Sequence, residues 1–450
     1  VEFVLRSGDL DNRSSAAAQK EAMLAGSRLH RKLQKKMGLN YQAEVPLKQI
    51  VPLEGGVELV LEGRADGILT EDGTVTVDEI KGVYYDIQAL EDMVPVHRAQ
   101  AVCYAYMYAV REDLPGMNVQ LTYCNLESEE IRRFREWYDR ERLEENFGEY
   151  VREYGKWARF LYEHRLKRKA SIQGLEFPYP WRAGQKELAV SVYRTIARQK
   201  TLFIQAPTGI GKTLSVLFPG IQAMGQNLAD KLFYLTAKTI TRSVAEEGLD
   251  VMREKGLCCL GVTLTAKEKL CILETPDCNP ESCPRARGHF DRVNAAVFDL
   301  ITHRDSISRE DILEYAQKHE VCPFEMSLDV TCWVDVVICD YNYVFDPNVR
   351  LQRFFAEGNR GDYVFLVDEA HNLVERAREM YSAALYKEEL LEAKKLFKGK
   401  SQRLVRLLDR ANRAMLALKR ECESFHVPEN GEGLGAPMAC LMQIYDQLEK

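Results

Sequence analysis

The run Ala206-Pro207-Thr208-Gly209-Ile210-Gly211-Lys212-Thr213 constrains this 450-residue chain more than any other. It follows the apolar stretch Thr201–Gln205 and opens an apolar stretch of helical period, so a buried strand, a tight loop and a helix N-terminus are expected in that order. Glycines in such a loop let backbone N–H groups turn toward phosphate oxygens, and a helix N-terminus favours their negative charge. Pro207, Thr208, Gly209 and Gly211 form the expected cradle for ATP, with Ala206 standing where the general pattern has its first glycine. Lys212 would reach the β- and γ-phosphates and Thr213 would ligate Mg2+.

A second run supplies the other half of that chemistry. Val364-Phe365-Leu366-Val367-Asp368-Glu369-Ala370-His371 is an apolar strand ending in two adjacent carboxylates. Asp368 can hold the Mg2+ and Glu369 can polarise the attacking water. Either carboxylate alone reads as a solvated strand end; the pair, after a phosphate loop, argues for an ATP hydrolase. Lys231–Leu235 is a further apolar strand run, and strands alternating with helices imply a mostly parallel α/β sheet. Phe177-Pro178-Tyr179-Pro180 marks an expected domain boundary, and after Asn372 the chain reads as helical and charged.

The region before that boundary predicts an αβββαβ unit: a helix over Ala16–Met37, strands over Ala43–Val51, Val57–Ile68 and Val75–Lys81, a helix over Val94–Val110 and a strand over Asn118–Cys124. Asp72-Gly73 gives the hairpin between the second and third strands its turn. Ser128–Lys169 reads as one long charged helix. Asp66 and the Glu79-x-Lys81 pair fall on neighbouring strands, and period 2 puts Glu79 and Lys81 on one face. Two carboxylates there can bind Mg2+ or Mn2+ while the lysine orients a nucleophilic water. Taken alone, these three residues fit a solvated strand edge better than a catalytic site.

Twelve cysteines are too few for a disulfide scaffold in a chain of this length. Cys271, Cys278, Cys283 and Cys322 stand apart, with 6, 4 and 38 residues between them. Four thiolates suit Zn2+ or an iron–sulfur cluster equally by chemistry, in a reducing compartment such as a bacterial-type cytoplasm. Cys332 and Cys339 are the nearest rival ligands. A net charge of −7 gives no global nucleic-acid footprint, although His164–Lys169 and Lys387–Lys419 are locally basic. No apolar run reaches the ~18 residues of a membrane span, since Cys332–Phe345 is broken by Asp335 and Asp340, and no membrane partner is expected.

The APTGIGKT loop with its DEAH box resembles superfamily 2 helicases, and the cysteine-bearing segment between them resembles the XPD/DinG-like iron–sulfur group. Arg182-Ala183-Gly184-Gln185 is similar to that family's Q-motif region, which implies a nucleotide contact for Gln185. Tyr234-Leu235-Thr236-Ala237-Lys238-Thr239 is similar to its motif Ia. Lys269-Leu270-Cys271-Ile272 and Cys322-Pro323-Phe324-Glu325 resemble its first and last ligand sites, so the resemblance favours a [4Fe–4S] cluster on Cys271, Cys278, Cys283 and Cys322. The likeness is strong over Phe177–Asn372. Upstream, Gly26-x-x-x-His30, Gly63-x-x-Asp66, Glu79-x-Lys81 and Gln100-x-x-x-Tyr104, in that order, resemble PD-(D/E)xK nucleases of the RecB type. That resemblance implies His30, Asp66 and Glu79 as metal ligands, Lys81 as catalytic, and Gln100 and Tyr104 as substrate-positioning residues.

The expected architecture is α/β: a PD-(D/E)xK nuclease-like domain with a helical linker over residues 1–170, a RecA-like P-loop motor domain over 175–255 and 334–375, an iron–sulfur insertion over 256–333, and a partial helical arch domain over 376–450. The expected function is ATP-driven helicase action on single-stranded or forked DNA, with 5′→3′ polarity implied by the family alone and a second motor domain expected beyond residue 450. Two other readings stand beside it: a helicase whose first domain is an inactive DNA clamp, and a zinc-stabilised nucleic-acid-binding ATPase that does not unwind. Protein partners are not legible in the sequence.

Overall fold

The structure is a computed structural model. It describes residues 2–13, 16–207, 209–237, 239–356, 358–420, 422–425, 427, 431 and 433–448, with side chains left out at 16–23 and 239–241. Two compact units result, Val1–Arg376 and Ala377–Lys450.

The larger unit holds two sheets. The first has five strands in the order β1-β2-β3-β4-β5: β1 Tyr41–Leu53, β2 Val57–Glu71, β3 Thr74–Val83, β4 Gly116–Asn125 and β5 Ile131–Asp139. All neighbours are antiparallel except β3 and β4, which run parallel and are joined across the helix Pro95–Arg111. The β2–β3 turn forms at Asp72 and Gly73, both at positive φ (48° and 75°), as a two-residue hairpin of matching twist requires. The helix buries Ala99, Ala101, Val102, Ala105 and Ala109, small residues that let it lie close on the sheet.

The fifth strand corrects the expectation of a helix from Ser128. Residues 131–139 alternate between more and less exposed positions, and β4 offers an edge to pair with. The helix begins only at Arg140, where the Asp139 side chain accepts a hydrogen bond from the Arg142 N–H. It then runs 34 residues, Arg140–Gln173. Leu143, Phe147 and Val151 near its start belong to the core of the first sheet, and Ile172 at its end belongs to the core of the second.

The second sheet is entirely parallel, in the order β10-β6-β9-β7-β8: β6 Lys231–Leu235, β7 Gly261–Thr263, β8 Ser306–Ile307, β9 Val336–Cys339 and β10 Tyr363–Val367. The strand expected over Thr201–Gln205 does not form. That segment joins no ladder among the described residues, and Phe203 is 90% exposed. An apolar run supplies side chains for a buried strand, but a strand also needs a neighbouring backbone, and here β10 is the sheet edge with Phe365 exposed.

Between β7 and β9 the cysteine-bearing residues fold into a helical lobe with helices His289–His303, Arg309–Lys318 and Pro323–Val330. The lobe closes onto the sheet at Asp335, 4% exposed. Its carboxylate accepts hydrogen bonds from His164 Nε2 (2.6 Å), from Arg168 and from the Leu260 N–H (2.8 Å). Burial alone would raise the Asp335 pKa, but the hydrogen bond and charge of His164 and the charge of Arg168 outweigh it and hold the group at about 2. One carboxylate thus ties the long helix, the strand β7 approach and β9 together. The smaller unit packs helices Lys387–Phe397, Gln402–Arg420 and Gly435–Leu448 around Leu390, Leu404, Leu408, Ala411, Cys440 and Ile444. No helix among the described residues is long and apolar enough to cross a membrane.

Candidate functional site

The phosphate loop keeps its backbone geometry without a paired strand before it. Gly209 and Gly211 have φ of 85° and 79°, values that favour glycine, and Lys212 opens the helix Lys212–Gly225. A Cβ on Gly211 would come within 2.7 Å of the Gln185 amide, so that residue stacks directly on the loop. Gln185 is buried, its Oε1 accepts from the Arg182 N–H (3.1 Å), and the Arg182 guanidinium donates to the Gly209 carbonyl. The expected contact at Thr208 lies outside the described residues, as does Lys238 of the Tyr234–Thr239 run. Pro207 is exposed at the mouth of the loop.

The acidic half arrives from β10. The Asp368 N–H donates to the Leu235 carbonyl (2.9 Å), and the backbone turns at Glu369 into the left-handed region, φ 50°. The Tyr341 hydroxyl supports that turn by donating to the carbonyl of Asp368, with the Glu369 carbonyl 3.1 Å away. Lys212 Nζ lies 3.5 Å from Glu369 Oε1. The Tyr234 hydroxyl lies near both Thr213 and Asp368, the two expected Mg2+ contacts. Burial, and then the neighbouring Glu369 charge, pushes the Asp368 pKa up. A divalent cation beside it would favour the ionised form.

On the first sheet the motif residues from four elements converge. His30 Nδ1 lies 3.2 Å from Asp66 Oδ1, and Asp66 Oδ2 accepts from the Ile80 N–H (2.8 Å). Lys81 Nζ donates to Glu79 Oε1 (3.0 Å) and Gln100 Oε1 (2.9 Å), and Gln100 Nε2 reaches the Tyr104 hydroxyl at 3.4 Å. Glycine at 63 is required here, because a Cβ would come within 2.6 Å of the Tyr104 ring. Glu79 is 3% exposed, and its buried Oε2 has no hydrogen-bond partner among the described residues. Burial, then the charge of Asp66, raises its pKa. A buried carboxylate oxygen with no donor, beside a second carboxylate, is the chemistry of a cation-binding donor set, although His30, Asp66 and Glu79 as arranged here do not stand at the spacing of a single metal ion. Asp78, next in sequence, faces the other way into hydrogen bonds with Thr122 and Gln120.

One residue at this site escaped the sequence reading. His97 precedes Gln100 and Tyr104 on the same helix face, at i−3 and i−7. The Val94 N–H donates to the Tyr123 hydroxyl (2.9 Å), and His97 Nδ1 lies 3.2 Å from the same hydroxyl. Burial, then the Lys81 charge, pushes the His97 pKa down to about 4, so the ring is neutral at pH 7. The i, i+3 spacing was the available signal.

Cys271, Cys278, Cys283 and Cys322 line one pocket, together with Ile272, Pro323 and Phe324. The rivals are elsewhere: Cys339 is buried within β9, and Cys332 is exposed beside Arg353. Burial pushes the Cys322 thiol up to about 11, and Lys267 lies near Cys278. Among the described residues no three His, Cys, Asp or Glu side chains stand at the spacing of a single metal ion. Tetrahedral zinc needs thiolates within about 2.3 Å of one point. Four cysteines around one pocket form a soft donor set that suits zinc or an iron–sulfur cluster alike.

Residues 250–390, from the helix before the cysteine lobe through the Asp368–Glu369 pair, match the DEAD_2 family. The Dictyostelium discoideum general transcription and DNA repair factor IIH helicase subunit XPD is 24% identical over 224 residues, covering 44% of this chain and 29% of that protein. The Gallus gallus Fanconi anemia group J protein homolog is 33% identical over 85 residues, covering 19% of this chain and 6% of that protein. A solved structure of truncated XPD is 19% identical, covering 58% of this chain and 75% of its own, with a TM-score of 0.39. The chain is similar to XPD-like helicases of superfamily 2 over these stretches, and it spans less than a third of either curated relative.

Proposed function

We propose that the chain supplies an ATP-binding motor sheet of a DNA helicase and carries a metal-dependent nuclease on the same polypeptide. The observation that carries the motor reading is the meeting of Lys212, Thr213, Asp368 and Glu369 around Tyr234 and Tyr341, all within a chain that matches the DEAD_2 family over residues 250–390. Lys212 would hold the β- and γ-phosphates, Thr213 and Asp368 the Mg2+, and Glu369 the attacking water. Gln185 and Arg182 brace the loop from behind. The DNA substrate is single-stranded or forked, and 5′→3′ polarity follows from the family resemblance.

The nuclease reading rests on the contact chain His30–Asp66 and Glu79–Lys81–Gln100–Tyr104. Two carboxylates and a histidine would hold Mg2+ or Mn2+, and Lys81 would orient water and offset charge on the phosphate. The thiol pocket would hold a [4Fe–4S] cluster that pins the helical lobe; the chemistry the cluster supplies is structural.

The motor reading is tested by titrating ATP with and without Mg2+. Wild-type protein is expected to bind the Mg2+ complex. Lys212→Ala is expected to bind about tenfold or more weakly, since a hydrogen bond to a charged group contributes roughly 1.5–3 kcal/mol. Equal binding by the two proteins would assign the nucleotide to another site.

A further inference from the structure

Residues 6–13, ahead of the helix Ala16–Gln34, have hydrogen-bond and ion-pair partners far from the nuclease-like sheet. Residues 8–12 lie along the cysteine lobe, more than 260 positions away in sequence. The Leu10 N–H donates to the Ala286 carbonyl (2.8 Å), the Asn12 N–H to the Cys278 carbonyl (2.9 Å), and the Phe290 N–H to the Gly8 carbonyl (3.0 Å). Side chains reinforce these backbone bonds. Asp9 accepts from the Gly288 N–H (2.6 Å), Arg6 pairs with Asp329 (2.8 Å), and Arg13 pairs with Glu281 (2.7 Å). Phe3 anchors the start of the strap against Trp157 and Trp333, with ring centroids 5.0 and 5.3 Å away.

Leu10 is the centre of this arrangement. It is 4% exposed, packs with Cys283, Ala286 and Cys322, and is a wall of the pocket that the four cysteines line. An apolar shell around a metal centre controls the access of water to it, and solvent exposure is among the factors that set a cluster's potential. Two of the strap's backbone bonds fall on or beside the loop that carries Cys278 and Cys283. Holding the strap and holding the thiols in register are therefore one structural event.

We propose that the N-terminal strap is part of the cluster site, with Leu10 as the cap that keeps water and oxidant from the thiol-held group. This rests on the cluster reading above. It assigns a binding-site role to a residue outside the DEAD_2 match, and it makes occupancy of the pocket the anchor for the segment that leads into the helix bearing His30.

The test uses the whole chain, purified without oxygen as wild type, Leu10→Ser, Leu10→Met and Cys322→Ser. Iron content, visible absorption during exposure to air, and trypsin cleavage after Arg6 and Arg13 are followed. Wild type is expected to carry about four irons per chain, the content of one [4Fe–4S] cluster. Leu10→Ser is expected to bleach several-fold faster in air, with Leu10→Met matching wild type. Cys322→Ser is expected to lack the absorption and to be cut at Arg6 and Arg13 several-fold faster. Equal bleaching of iron-loaded wild type and Leu10→Ser overturns the cap alone. Wild type without iron overturns the cluster reading, and the cap with it.

Discussion

Metal-dependent cleavage of single-stranded DNA is expected to fall by about a hundredfold or more in Lys81→Ala, the scale of losing one preorganised electrostatic donor. The geometry explains why one side chain should matter so much. Lys81 Nζ is fixed from two sides, by Glu79 Oε1 at 3.0 Å and Gln100 Oε1 at 2.9 Å, beside the buried Glu79 oxygen that has no partner among the described residues. Its charge is thus held where a metal-bound phosphate would gather negative charge. Asp66→Ala should be equally severe, because it removes a carboxylate that both His30 and the Ile80 N–H now hold in place. Gln100→Ala should cost less, since Lys81 keeps its bond to Glu79. Both lysine and aspartate variants are read against Mg2+ and Mn2+ in the intact chain. Residual cleavage that is identical in wild type and Lys81→Ala would mean that the activity belongs to a contaminant.

Asp335→Ala is expected to destabilise the larger unit by about 3–5 kcal/mol, the scale of breaking a buried ion pair from one side. Arg168 and His164, 6% and 9% exposed, would lose their shared acceptor, and the Leu260 N–H would lose its partner too. The pH dependence has a definite sign. The folded Asp335 pKa is held at about 2, below its ordinary 3.8. Its contribution is fully present above the ordinary value and is lost as pH falls through the folded one, between about pH 4 and 2. Urea midpoints measured across that window should fall more steeply for wild type than for Asp335→Ala. Parallel curves would show that the carboxylate carries no linkage.

The elements most legible in the sequence were those whose signal is local. Asp72-Gly73 specified its hairpin because two positive φ values suit few residue pairs. The strand Tyr363–Val367 and the Asp368–Glu369 pair at its end were visible as an apolar run closed by carboxylates. Three features depended on partners distant in sequence and were not visible. Residues 131–139 looked like the start of a charged helix until β4 provided an edge for pairing. Residues 201–205 had the composition of a buried strand but no neighbouring backbone. The strap through Leu10 involves side chains whose partners begin at Cys278, a separation that no periodicity encodes. Within the nuclease-like site the motif spacing identified residues that do meet, including Lys81 with Gln100. The neutrality of His97 required its burial and the nearby Lys81 charge, and its contact with Tyr123 required the position of β4.

The central proposal is that Lys212 belongs to the nucleotide site of a DNA motor, and the most direct measurement is single-strand affinity with and without ATP·Mg2+. Anisotropy of a labelled oligonucleotide would be followed in wild type and Lys212→Ala, in a Lys81→Ala background so that the strand survives. Coupling between two sites is reciprocal and typically spans about fivefold or more in affinity. The account predicts a shift of that size with ATP·Mg2+ in the Lys81→Ala protein and none once Lys212→Ala is added. Affinity that ignores ATP·Mg2+ in both proteins, or shifts equally in both, would contradict it.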